Sequence, residues 1–376
     1  MRIGIITLHR VRNYGSSLQA YALQEYIEKE GLGETELIDY IYPNSFHKKK
    51  RTFKAWLRNF YCVRIRDRYF RRGWKKAIAF RQFYDMFYHL SPVQYPQIKD
   101  IMDNPPDYDL YMTGSDQLWN VNTLYNDPVM YCEFAPSNKP RVSFGASFTI
   151  KTLPEKYKES VRERLNKYRY IGVRERSSLD ILEDLKLQKC IKTANTCDPT
   201  LLLSGKDYEK LSERSKARID GEYILVYTLK YAFNPEPALS SIIKQVRERL
   251  GLRLIIIDSH KVKMERGDRI ISGIGPCEFC WLFAHAQYVV ASSFHGTMFS
   301  LINRVPFTVI GPEQGNEDRR IADVLDFLGL GNRYIPANRA DIRIMTENPF
   351  TEEVEFRINK FIDESKDFLR RSINGE

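Results

Sequence analysis

Short apolar strands alternate with amphipathic helices twice along this chain, and that repeat restricts it to few folds. In the first half, residues 2–8 read as a strand. A loop at 9–14 leads into a helix at about 15–30, which Gly31 stops before a strand at 36–41. After an interruption the pattern resumes with strands at 109–113, 142–146 and 170–174 and helices at 154–168 and 177–187. A polar stretch at 204–220 reads as a hinge. A second train follows, with strands at 223–229, 253–258, 288–291 and 306–310 and helices at 236–250, 277–286 and 319–328. Such alternation predicts parallel sheets covered by helices on both faces. The expected fold class is α/β: two Rossmann-like doubly wound domains facing a cleft. The domains are expected at 1–205, interrupted by a basic helical insertion at about 45–106, and at 206–350. Residues 351–376 form a closing helix reaching back to the first domain.

Charge and cysteine usage narrow the class. The net charge is +10, but thirteen cationic side chains lie between Lys48 and Lys76 against a single Asp67, so that run carries +12 and the rest of the chain −2. One surface is basic, the whole is not, and no nucleic-acid recognition motif accompanies it. Within the run, Phe53, Trp56, Leu57, Phe60 and Tyr61 share one helical face. Two readings stand: the face packs on the first domain, or it contacts an anionic membrane surface. No apolar run approaches the ~18 residues of a membrane span, and the first strand runs straight into His9 and Arg10 without a cleavage site, so the protein is expected to be cytoplasmic. Six scattered cysteines fit reduced thiols. Cys277 and Cys280 form a lone CxxC without a second ligand pair, so no metal site is expected.

Chemistry-bearing residues cluster where strands end, which is where open α/β sheets bind ligands. The loop Ser292-Ser293-Phe294-His295-Gly296 lies between a buried strand and a helix. His295 is thus a titratable imidazole beside a helix N-terminus suited to anions, and Gly296 admits a close ligand or backbone. Its plain alternative is a histidine packing the loop. Asn13, Tyr14, Gly15, Ser16 and Gln19 open the first helix without a dinucleotide fingerprint; they offer hydrogen bonds to sugar hydroxyls or an anion, or simply cap the helix. Ser115, Asp116, Gln117 and Trp119 follow another strand and read as a carbohydrate platform, with Asp116 as the carboxylate. Its alternative is an Asx-turn. Ser147 ends a further strand in small residues. Arg174, at a strand's carboxyl end, offers a planar fork to carboxylate or phosphate, or pairs with Glu175.

The blocks NYGSSLQAYAL, GSDQLWN, SFGASF, VRERS, CDPTLLL, SFHGTMFSLINRVPF and RRIADVLDFLGL, in that order over about 2–330, resemble the polysaccharide pyruvyl transferases. The resemblance implies a two-domain fold like that of the GT-B glycosyltransferases. It implies phosphoenolpyruvate as co-substrate, with no further cofactor, and a glycan acceptor, lipid-linked in its precursor form, that receives a carboxyethylidene ketal. It also implies His295 as the active-site histidine and Arg174 as a donor-binding arginine. In the relatives the loop reads Arg-Leu-His-Gly; here Ser293 stands at the arginine's position. Either Arg319, Arg320 or Arg12 substitutes, or the donor differs, so the expected donor set is Arg174, Ser293, Phe294, Gly296, Arg319 and Arg320. A nucleotide-sugar glycosyltransferase of the same fold is the competing reading, although no E-x₇-E pattern is evident in the second domain. A non-enzymatic nucleic-acid binder is the third.

Overall fold

The computed structural model describes residues 1–41, 67–229, 233–258, 262–313, 318–339 and 344–376. Seven strands form the first sheet: β1 (Arg2–Ile6), β2 (Glu34–Tyr40), β3 (Leu90–Tyr95), β4 (Leu110–Thr113), β5 (Arg141–Ala146), β6 (Tyr170–Val173) and β7 (Lys192–Asn195). Their order is β3-β2-β1-β4-β5-β6-β7. The second sheet has β8 (Tyr223–Tyr227), β9 (Arg253–Ile257), β10 (Arg269–Ile271), β11 (Tyr288–Ala291), β12 (Phe307–Gly311) and β13 (Tyr334–Pro336), in the order β10-β9-β8-β11-β12-β13. Every pairing is parallel. Where helices cover both faces the strands are largely apolar: β8, β11 and β12 are buried at every residue. In both sheets the strand order reverses once, between β1 and β4 and between β8 and β11, and those two points face each other.

The four strands that the alternation pattern misses are the four sheet edges. Residues 90–95 fall within the stretch expected as a helical insertion but form β3, whose Pro92 is tolerable because an edge strand can leave one side of its ladder unpaired. Strand β7 is Lys-Thr-Ala-Asn, exposed or half-buried, and β10 and β13 have three residues each. Edge strands bury one side only and need no apolar run.

The two domains share one continuous core. Tyr14, in the first turn of the helix Tyr14–Lys29, stacks on Phe279 of the helix Pro276–Ala284 at 4.8 Å between ring centroids and packs against Tyr227 at 5.9 Å. The helix Asp67–Phe87 straps this joint: Phe80 lies 5.3 Å from the Tyr14 ring, and Lys76 Nζ pairs with Asp258 Oδ2 at 2.7 Å. The rest of the basic run, including the helical face at residues 53–61, lies outside the described residues. The helix Glu352–Asn374 returns to the first domain, where Ser365 Oγ accepts from Cys197 N at 2.9 Å and Phe368 packs on Tyr170. Cys277 and Cys280 are buried in the joint, and burial pushes the Cys277 thiol up to about 12.

Phe279 is fully buried between rings of both domains. Phe279→Ala should therefore cost about 3–5 kcal/mol in denaturant unfolding, and a loss below about 1 kcal/mol would show that the domains are not joined through this ring.

Candidate active site

Loops from the two switch points enclose a cavity of about 270 Å³. Asn13, Ser16, Asp116 and Gln117 line it from the first domain, and Ser293, Phe294, His295, Asp318, Arg320 and Tyr334 from the second. Two helices begin here. Asn13 caps Tyr14–Lys29, its side chain accepting from Gly15 N at 2.9 Å and Ser16 N at 3.4 Å. Ser293 caps Phe294–Ile302 by accepting from Gly296 N at 3.4 Å. The positive ends of both helices thus meet at one cavity, an arrangement that favours anions.

At the cavity, His295 is a point of contact between the two domains. Its ring lies against Gly15 so closely that a Cβ built there would fall 1.9 Å from Nδ1. Glycine is required at position 15 by the approach of the imidazole. On the other side, His295 Nε2 lies 3.5 Å from Asp198 Oδ2, an ion-pair separation slightly long for a hydrogen bond. Asp198 is fully buried at the end of the segment after β7. Its Oδ1 accepts from Thr200 N and Thr200 Oγ1 at 3.0 and 2.7 Å, and its Oδ2 accepts from Arg174 Nη1 at 2.7 Å. Burial alone would raise this carboxyl's pKa. The facing His295 and Arg174 outweigh burial and hold it well below the usual carboxylate range. The carboxylate fixed behind the imidazole holds the ring at the cavity wall, and histidine is the side chain best suited to giving a proton and taking one back near neutral pH.

Around this axis, charges alternate. Arg174 is fully buried, with its guanidinium 4.3 Å from the Phe294 ring centroid. Its Nε and Nη2 have no hydrogen-bond partner among the described residues. Arg320 approaches Phe294 at 5.9 Å and grips Asp318 through Nε (2.8 Å) and Nη2 (2.7 Å). Burial opposes ionisation of Asp318, but the Arg320 fork overrides it and keeps the carboxyl's pKa low. With its amide turned so that the oxygen faces Arg320, Gln117 accepts from Nη1 at 2.8 Å, linking the domains. Opposite, Asp116 sits in the left-handed region (φ 86°) and accepts from Ser16 Oγ and from Gln117 N at 2.9 Å. It is a cavity carboxylate whose backbone is bent to place it there.

Several residues expected in the site are elsewhere. Trp119 is no carbohydrate platform: it is 1% exposed, stacks on Tyr131 at 5.6 Å and donates to Met130 O at 3.1 Å. An indole with a satisfied N–H in a closed ring cluster is core. Tyr14 is sealed in the domain joint, where its hydroxyl donates to Asp258 Oδ2 at 3.1 Å. Gln19 is also buried, donating to Thr7 Oγ1 at 2.8 Å. Ser115 lies one layer below the cavity, donating to Gly145 O at 2.8 Å and sitting 3.3 Å from Asp198 Oδ2. Ser147 is buried and donates to Glu175, whose pKa burial raises. Gly296 admits the Tyr227 ring, to which a Cβ would come within 3.2 Å. Arg319 faces outward and pairs with Asp323 at 3.0 Å, and Arg12 is exposed. Arg174 lies beneath Phe294 and does not line the cavity. Asp198 is the residue that the sequence reading missed. Its signal was the Asp-Pro-Thr of the CDPTLLL block, to which no chemistry attaches until the fold brings it behind His295.

Residues 13–314 match the polysaccharide pyruvyl transferase family, which is most of the chain. The chain belongs to that family. It is accordingly an enzyme of pyruvyl transfer, and the site just described is this pyruvyl transferase's inter-domain cleft. No curated protein matches it at a significant level. Among solved structures, the UDP-GlcNAc 2-epimerase of Methanocaldococcus jannaschii is similar at 13% identity and a TM-score of 0.51, over 96% of this chain and 93% of that one. A putative UDP-N-acetylglucosamine 2-epimerase of Listeria monocytogenes is similar at 10% identity and 0.51, over 98% and 96%. At these identities the likeness concerns the fold alone, the two-domain GT-B-like arrangement. Among the described residues no helix is long and apolar enough to cross a membrane.

Asp198 supplies a pH test. Its folded pKa is depressed, so its stabilising contribution is complete above the ordinary carboxylate pKa near ~4 and erodes as pH falls below it. Asp198→Asn should therefore cost about 3–5 kcal/mol at neutral pH, with the gap to the parent protein narrowing in acid. A constant gap from neutral pH into acid would mean that Asp198 is not held ionised.

Proposed function

We propose that this pyruvyl transferase takes the three-carbon unit of phosphoenolpyruvate and closes it as a ketal on two hydroxyls of one sugar in a cell-surface polysaccharide or its lipid-linked precursor. The observation that carries this reading is His295 in the cavity wall with ionised Asp198 behind it. The imidazolium gives its proton to the donor's methylene carbon, which becomes the methyl group. A sugar hydroxyl attacks C2, the C2–O bond to phosphate breaks, and a second hydroxyl closes the ring. One hydroxyl proton returns to the imidazole and the other leaves with phosphate, so the enzyme ends as it began. Developing charge on the departing phosphate is met by two helix N-termini. Asp116, tied to Ser16 on the same wall of the cleft, orients an acceptor hydroxyl.

Incubation with phosphoenolpyruvate and candidate glycans should release phosphate as the acceptor gains one carboxyethylidene unit. A glycosyl gain from a nucleotide sugar, without phosphate release from phosphoenolpyruvate, would contradict the reading. His295→Ala should lower turnover by about 10²-fold or more while thermal unfolding still reports a folded protein. Near-parental turnover in that variant would remove His295 from the chemistry.

A lipid-linked acceptor also gives the basic run a purpose. Lys76 is held in the domain joint, but the twelve cations from Lys48 to Lys75 suit an anionic membrane surface, where each contributes roughly 1 kcal/mol. Co-sedimentation with anionic vesicles should be strong at low salt and weak at high salt, and should fall when Lys48–Arg51 and Arg58 are neutralised. Failure to bind at low salt would dismiss the contact.

A further inference from the structure

The cavity has an unusual charge balance for a site that receives a multiply charged anion. Among the described residues lining it, Arg320 carries the one guanidinium and there is no lysine; Asp116 and Asp318 are both carboxylates. Arg320 is already engaged. Its Nε and Nη2 donate in parallel to the two oxygens of Asp318 at 2.8 and 2.7 Å, the bidentate geometry with which arginine holds any free carboxylate or phosphate. Asp318 Oδ1 also lies 3.3 Å from Arg320 N, at the start of the helix Arg320–Phe327. A guanidinium fork and a helix-terminal N–H therefore converge on one carboxylate inside the cleft.

Arg320's other contacts do not depend on Asp318. Phe294 lies beside its guanidinium and Gln117, from the opposite domain, accepts from Nη1. The Arg320 side chain is 15% exposed, whereas that of Asp318 is 39% exposed and has solvent to move into. Removal of Asp318 would leave an oriented, charged fork aimed at the cavity.

We propose that Arg320 is the residue that binds the donor's anionic group, and that the Asp318 carboxylate occupies this place until the donor displaces it. The exchange trades one charged pair for another, so no buried charge is left alone at either end. With Asp318 in place, an arriving anion meets two carboxylates and no unoccupied guanidinium fork in the cavity wall. Only molecules with Asp318 displaced bind, and the apparent affinity is lower by that fraction. Selectivity follows, because a ligand must match the two-oxygen geometry of a carboxylate to compete. Among the arginines considered as replacements for the one missing at position 293, the structure favours Arg320, since Arg319 and Arg12 face outward.

The inference rests on the donor reading above only for the ligand's identity; the self-occupied anion site stands on geometry. Calorimetric titration of the full chain with phosphoenolpyruvate, inorganic phosphate and pyruvate, in the parent protein, Asp318→Asn and Arg320→Gln, tests both, with thermal unfolding to show that each variant is folded. Asp318→Asn should tighten binding of at least one of the three anions by on the order of tenfold, and Arg320→Gln should weaken the same anion by at least as much. A gain for phosphate but not pyruvate would assign the fork to the phosphoryl group, and the reverse to the carboxylate. If phosphate tightens while phosphoenolpyruvate binds no better than phosphate in any variant, the anion site holds and the donor reading fails. If Asp318→Asn binds all three anions no better than the parent, or none binds either protein, Asp318 is a fixed buttress of Arg320 and the inference is wrong.

Discussion

A buried carboxylate is costly unless cations and donors surround it, and the placement of Asp198 organises this enzyme around that requirement. Arg174 from the end of β6 and Thr200 from its own turn meet part of the need. His295, from the other domain, supplies the remaining charge when protonated. The same contact therefore holds the domains in register and, in the proposed reaction, sets the imidazole for proton transfer. Gly15 is the counterpart: by lacking a side chain it lets the ring close the gap between two helix N-termini.

Rigidity in the joint serves the same end. Tyr14 stacks on Phe279, Phe80 of the strap helix packs on Tyr14, and Lys76 lies 4.4 Å from the Tyr14 ring centroid while pairing with Asp258. Proton transfer requires reacting groups held within a hydrogen-bond length, and a shared apolar core fixes domains better than rim ion pairs do. The polar cavity and the apolar joint are thus adjacent parts of one interface, separated by the first turn of the helix Tyr14–Lys29.

What the sequence made legible follows from what each residue must bury. Inner strands such as β8, β11 and β12 showed as apolar runs because both of their faces are covered, and the β11–helix turn marked His295 because strand end, cap and glycine coincide there. The four edge strands did not show: Lys192–Asn195 and Leu90–Tyr95 need no continuous apolar pattern. Trp119 was misread because an aromatic residue in a strand-end loop looks alike whether the loop folds outward or, as here, turns the ring into a cluster with Tyr131. Asp198 was passed over for a different reason. It lies far along the chain from His295, and its role exists only once the first domain's last turn meets the second domain's first helix after β11.

Whether Asp198 and His295 act as one device is answered most directly by a double-mutant cycle on turnover, using His295→Ala, Asp198→Asn and the pair, each measured on folded protein. If the carboxylate works through the imidazole, the double variant should be about as slow as His295→Ala alone. Losses that simply multiply would show two independent contributions and contradict the account.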